Sequence, residues 1–132
     1  MDVLIDTSVW VDHFRHRNSA LVELLVLDLA LTHPMVIGEL ACGTPPAPRR
    51  QTLHDVGLLR PAALPTQAEV LAFIEDRQLH GLGCGLIDIY LLASTLMTPD
   101  TTLWTLDRRL ADLAARFGVA HTPTQPQEGK LP

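Results

Sequence analysis

The chain has 132 residues, 47% of them hydrophobic, which fits one globular unit with a full core and leaves no room for a second. A formal net charge of −5 argues against nonspecific attraction to phosphate backbones, so any contact with nucleic acid has to be local. The longest apolar stretches, Leu24 to Leu31 and Leu86 to Met97, are broken by Asp28 and Asp88 and are too short for a bilayer span.

Val3-Leu4-Ile5 reads as a short strand that ends at Asp6-Thr7-Ser8, with a helix following from Val9-Trp10-Val11. Asn18 and Ser19 suit an N-cap, and Leu21, Leu24, Leu25 and Leu29 share one face of a second helix expected to end near Leu31. Thr32-His33-Pro34 gives a brief extended segment, and Val36 to Cys42 continue as a helix stopped by Gly43. The prolines of Thr44 to Pro48 exclude regular structure there.

A further helix is expected over Arg49 to Val56, with Leu58-Leu59-Arg60 extended beyond it. Thr66 and Glu69 form a capping box ahead of Val70, Leu71, Phe73 and Ile74. Gly81, Gly83 and Gly85 precede Leu86 to Ser94, which is too long for a buried strand and reads as a buried helix. Thr101 to Thr105 is β-branched and aromatic, hence a strand, and it turns through Leu106-Asp107 into a helix ended by Gly118. Val119-Ala120-His121 can add a last short strand, and residues 122–132 carry three prolines among polar residues, which predicts a frayed tail after a unit spanning 1–121. Strands alternating with helices make the fold class α/β, with a mainly parallel central sheet covered on both faces in three α/β/α layers.

Four carboxylates occupy positions an ordinary fold has little use for. Asp6 and Asp107 stand at the carboxyl ends of strands, where open parallel sheets bind ligands, and Glu39 and Asp88 stand inside apolar helical runs. The only lysine is Lys130, and no arginine occurs between Arg77 and Arg108, so Asp88 has no cation nearby in sequence. A buried carboxylate is unfavourable unless it is paired or binds a metal. A set of carboxylates suits Mg²⁺ or Mn²⁺, which can polarise a phosphoryl oxygen and activate an attacking water in phosphodiester hydrolysis. Taken singly, Asp6 and Asp107 read better as helix caps and Glu39 as a surface residue; Asp88 is the exception, and the conjunction carries the argument.

The remaining candidates have plainer readings. Cys42 and Cys84 lack the spacing of a zinc site or a disulfide scaffold and are expected as small buried residues. His13 and His16 are expected to be exposed rather than general bases, and Trp10 and Trp104 to pack in the core rather than stack on bases. Neither a G-x-x-x-x-G-K-[ST] loop nor a G-x-G-x-x-G turn is present, which argues against a nucleotide-binding protein.

The segments Val3-Leu4-Ile5-Asp6-Thr7-Ser8-Val9-Trp10, Val36-Ile37-Gly38-Glu39-Leu40, Asp88-Ile89-Tyr90-Leu91-Leu92-Ala93 and Thr105-Leu106-Asp107-Arg108-Arg109-Leu110 resemble, in that order, the motifs of PIN-domain proteins. More narrowly they resemble the VapC toxins of bacterial and archaeal toxin–antitoxin pairs. The likeness runs from Met1 to about His121. It implies a ribonuclease dependent on Mg²⁺ or Mn²⁺, with Asp6 and Asp88 as metal ligands, Asp107 completing the site and Glu39 holding a second ion or orienting the nucleophilic water. Thr7 and Thr105 are expected to support these carboxylates by hydrogen bonds.

The N-terminus goes directly into strand-like residues with no secretory signal visible, so a cytoplasmic protein is expected. The resemblance also implies a homodimer and a cognate VapB-like antitoxin whose C-terminal segment blocks the acidic cleft, often with an arginine. For the RNA, Arg15, Arg17, Arg49, Arg50, Arg108 and Arg109 are candidate phosphate contacts. Two competing functions stay open on the sequence: a nuclease acting on DNA, and a non-catalytic module that keeps the acidic cleft only for a protein partner.

Overall fold

The computed structural model describes residues 1–124, so the tail expected over 122–132 lies outside the described residues from 125 onward. The chain order is β1 (Asp2–Ile5), α1 (Thr7–Arg15), α2 (Ser19–Val26), β2 (Ala30–Leu31), α3 (Pro34–Cys42), α4 (Arg49–Gly57), α5 (Gln67–Arg77), α6 (Leu86–Met97), β3 (Thr101–Trp104) and α7 (Arg108–Arg116). The fold is α/β, and its arrangement is that of a PIN-like three-layer α/β/α unit. Among the described residues no helix is long and apolar enough to cross a membrane.

The sheet is parallel with order β2-β1-β3, Val3 opposite Ala30 on one side of β1 and Thr102 on the other. The chain therefore leaves β1 to one side and returns on the other, which makes the carboxyl end of β1 the point where strand order reverses. Single parallel bridges, Thr32 with Pro61 and Leu103 with Ala120, lengthen both edges. The strand expected over Val119 to His121 is thus reduced to one bridge, held by Leu103 N–H to the Val119 carbonyl at 2.7 Å and His121 N–H to the Leu103 carbonyl at 2.9 Å. Leu4, Ile5, Leu31, Leu91, Leu92 and Leu103 are fully buried where sheet and helices meet. Burial at roughly 25 cal/mol per Å² of apolar surface makes this core the main stabilising term.

Local chemistry explains most of the helix boundaries. The Asn18 side chain accepts from Leu21 N–H at 3.0 Å, and Thr66 and Glu69 close the expected capping box at 3.1 and 2.9 Å. One expectation fails: the second helix stops at Val26 instead of running to Leu31. Asp28 adopts φ 56°, and Val3 N–H takes the Leu29 carbonyl at 2.8 Å, which draws Ala30 and Leu31 into the sheet. Burying these two residues beside β1 outweighs the helical periodicity of the leucines. Trp10 and Trp104 are both buried in the core, as expected. Cys42 is not: it sits exposed at the last turn of α3, and Cys84 is only half-buried, so the reading of both as buried residues is corrected.

Candidate active site

Asp6 follows β1 and is almost fully buried, at 5% exposure. It occupies the N-cap position of α1, yet its side chain caps nothing; the capping role expected for Asp6 taken alone is absent. Instead its Oδ2 accepts hydroxyl hydrogen bonds from Ser8 and from Thr105, each at 2.7 Å. The Ser8 oxygen in turn accepts from Leu106 N–H at 2.9 Å, and Thr105 Oγ1 from Asp107 N–H at 3.0 Å. This net of hydroxyls joins the ends of β1 and β3 and fixes the carboxylate plane, because both hydroxyls are themselves held by backbone amides.

The other three carboxylates are anchored one oxygen at a time. Thr7 donates to Glu39 Oε1 at 2.7 Å, linking α1 to α3. Asp88 Oδ2 accepts from Gly85 N–H at 3.1 Å in the first turn of α6. Asp107 Oδ1 caps α7 through Leu110 N–H at 3.0 Å, so the capping reading holds there, on an exposed residue. In each of the four groups one oxygen has a protein donor and the second has none among the described residues. Nor does any of them join an ion pair among the described residues: the arginine ion pairs there are those of Arg60 with Asp2 and Asp28.

These charges share one field. Asp88 is pushed above the ordinary carboxylate range chiefly by burial, opposed by the Gly85 amide and reinforced by the negative charges of Asp6, Asp107 and Glu39. Half-buried Cys84 stands beside them; burial first, then the charges of Asp88 and Asp107, push its thiol up, with Arg109 opposing. Among the described residues no three His, Cys, Asp or Glu side chains close into a ready-made metal cage. The donor set nevertheless fits a hard divalent cation: only carboxylate oxygens, each with one free lone-pair face, mutually repelling and without a counter-charge.

A groove of about 450 Å³ opens beside this acidic centre and meets it at Glu39. Val11, Phe14, Leu40 and Pro45 supply apolar walls, and Arg15 also lines the groove. Arg49, one of the arginines expected to contact phosphate, instead bonds the Ala41 and Gly43 carbonyls at the end of α3.

No family model matches the chain. Ribonuclease VapC32 of Mycobacterium tuberculosis, in strain CDC 1551 / Oshkosh and in strain ATCC 25618 / H37Rv, is 41% identical over 119 residues, covering 89% of this chain and 94% of the relative. The chain belongs to the VapC family of ribonucleases. Two groups around this VapC-type centre were not singled out from sequence. Ser8, which joins Thr105 on Asp6, is one; a serine two residues past a strand-end aspartate is a weak signal, because it is also an ordinary first-turn helix residue. The other is His33, buried at 1% exposure.

Proposed function

We propose that this protein is a metal-dependent endoribonuclease, the toxin of a toxin–antitoxin pair, which hydrolyses RNA phosphodiester bonds at Asp6, Glu39, Asp88 and Asp107. The observation that carries the reading is that all four carboxylates spend one oxygen on the protein and leave the other free. Asp6, Asp88 and Asp107 would hold a Mg²⁺ or Mn²⁺ ion, with Glu39 at the side facing the groove. Such an ion supplies Lewis-acid polarisation of the phosphoryl oxygen and a lowered pKa for the attacking water.

The chain's own residues do the positioning. Ser8 and Thr105 hold Asp6 by its Oδ2 and leave Oδ1 without a protein donor among the described residues, and Thr7 holds Glu39 by Oε1 in the same way. Gly85 N–H fixes Asp88 by one oxygen. With the protein acidic overall, RNA has to be gripped locally, and Arg15, which lines the same groove as Glu39, is the arginine we assign to a phosphate contact. We read residues 1–121 as the nuclease unit, acting in the cytoplasm as a homodimer. A VapB-like antitoxin would answer the uncompensated negative charge of the cleft with a basic side chain.

The test is cleavage of RNA and of a matched DNA strand by the purified protein with Mg²⁺ or Mn²⁺, with chelator, and with Asp88→Asn. Metal-dependent RNA cleavage lost in the variant supports the proposal. Equal cleavage of the DNA strand favours the broader nuclease, and equal activity in chelator or in the variant removes the acidic centre from the chemistry.

A further inference from the structure

Residue 33 is where β2, α3 and α6 meet. Thr32, just before it, is clamped in the sheet by its N–H to the Arg60 carbonyl at 2.9 Å and by its own carbonyl to Ala62 N–H at 3.0 Å. The His33 ring, almost without solvent contact, then makes two hydrogen bonds in opposite directions. Nδ1 accepts from Met35 N–H at 3.0 Å, capping α3, and Nε2 lies 2.8 Å from Ser94 Oγ on α6. Because Nδ1 is an acceptor, the neutral ring carries its proton on Nε2 and donates to Ser94. A shorter cap such as Ser, Asn or Asp would satisfy Met35 equally well. It would have no second group on the far side to reach α6.

The placement of this joint relative to the acidic centre gives it a role. Glu39 stands six residues beyond His33 on α3, and Asp88 six residues before Ser94 on α6. Each carboxylate is therefore about 9 Å along its helix from the joint, at 1.5 Å per residue. The two helices pack against each other, and the Glu39 charge is felt at Asp88. Thr7 ties Glu39 to α1 and Gly85 ties Asp88 to its own helix, but neither bond links α3 to α6. Between these two helices His33–Ser94 is the side-chain hydrogen bond found among the described residues.

We propose that His33 is a positioning residue: the imidazole shared between the N-terminus of α3 and Ser94 of α6 sets the span across which Glu39 and Asp88 face one another. This rests on the reading of those carboxylates as a metal centre. Losing the cross-link lets the helices slide by a fraction of an ångström, which matters little for burial and much for ligands that must meet one ion.

Ser94→Ala removes the cross-link and leaves the cap; His33→Asn keeps a capping side chain and removes the cross-link from the other end. Mn²⁺ binding to the full chain is measured by calorimetry without RNA, alongside KM and kcat for RNA cleavage and the thermal midpoint. The expected result is Mn²⁺ affinity weakened about tenfold in both variants, as for other groups that orient metal ligands, with KM for RNA unchanged. The double variant is expected to be no worse than the more impaired single one, since both delete the same bond. A bond that only stabilises would lower the midpoint and leave Mn²⁺ affinity of the folded protein within twofold; that result overturns the proposal, as does multiplicative loss in the double variant. A wild-type protein that neither binds Mn²⁺ nor needs it overturns the metal reading and this inference together, whereas wild-type binding with unaltered variants overturns the inference alone.

Discussion

Acidification from pH 7 to pH 5 should destabilise this protein through His33 in particular. Burial holds the ring's pKa down to about 4 from an ordinary 6.5, and the bonding pattern shows why the cation is rejected. A proton on Nδ1 would face the Met35 N–H donor, at the positive end of the α3 dipole. The unfolded chain takes up the proton near pH 6.5 and the folded chain only near pH 4. The neutral ring's contribution is therefore complete above pH 6.5, declines as pH falls, and is gone below about pH 4. The full span is worth roughly 3 kcal/mol, of which about 2 kcal/mol disappears between pH 7 and pH 5. Urea unfolding followed by circular dichroism, on the wild type and on His33→Asn, isolates the effect, because other titrating groups are common to both. The stability advantage of the wild type should shrink by about 2 kcal/mol over that interval, on the order of 1 M in urea midpoint. Parallel curves for the two proteins would refute the assignment of a buried, neutral, cap-forming imidazole.

Asp88→Asn should reduce metal-dependent cleavage on the order of a hundredfold or more while leaving the thermal midpoint equal or higher, because burial and three neighbouring carboxylates oppose its charge; a lowered midpoint in differential scanning fluorimetry would contradict that balance. Thr105→Ala removes one of the two hydroxyls on Asp6 and the acceptor for Asp107 N–H. It should cut kcat by about 10- to 100-fold at a stability loss of about 1 kcal/mol, read from kinetics and melts together. Leu21→Ala, at a fully buried site on α2, a helix that carries none of the four carboxylates, should do the reverse, costing roughly 2–5 kcal/mol in chemical unfolding with kcat of the folded protein unchanged.

What the sequence made legible were features with a local cause. The capping box at Thr66 and Glu69, the Asn18 cap and the strand-end position of Asp6 each follow from residues within a turn of one another. The failure at Ala30 and Leu31 has the opposite origin. Two residues form a strand there because β1 offers them an edge 27 residues away in sequence, and no pattern inside 19–31 encodes that edge. His33 was hidden for a related reason: beside Pro34 it reads as a helix entry, and its second partner Ser94 is 61 residues away. Ser8 was visible but ambiguous, since the hydroxyl partner that defines its role, Thr105, is 97 positions distant.

The acidic centre joins both kinds of information. That Asp6, Glu39, Asp88 and Asp107 lack cationic partners is already suggested by the scarcity of lysine and the gap between Arg77 and Arg108. How an acidic protein tolerates their meeting is a property of the fold. Each carboxylate is hydrogen-bonded on one oxygen by a hydroxyl or amide donor, and Asp6, the most buried, receives two donors on that oxygen. Donors of this kind stabilise the ionised form without occupying the second oxygen, whereas an arginine fork would engage both. These bonds, the hydroxyl net at the ends of β1 and β3 for Asp6 and single donors for the other three, hold the carboxylates while leaving open the four oxygens that a cation, or a basic side chain of a partner protein, would need.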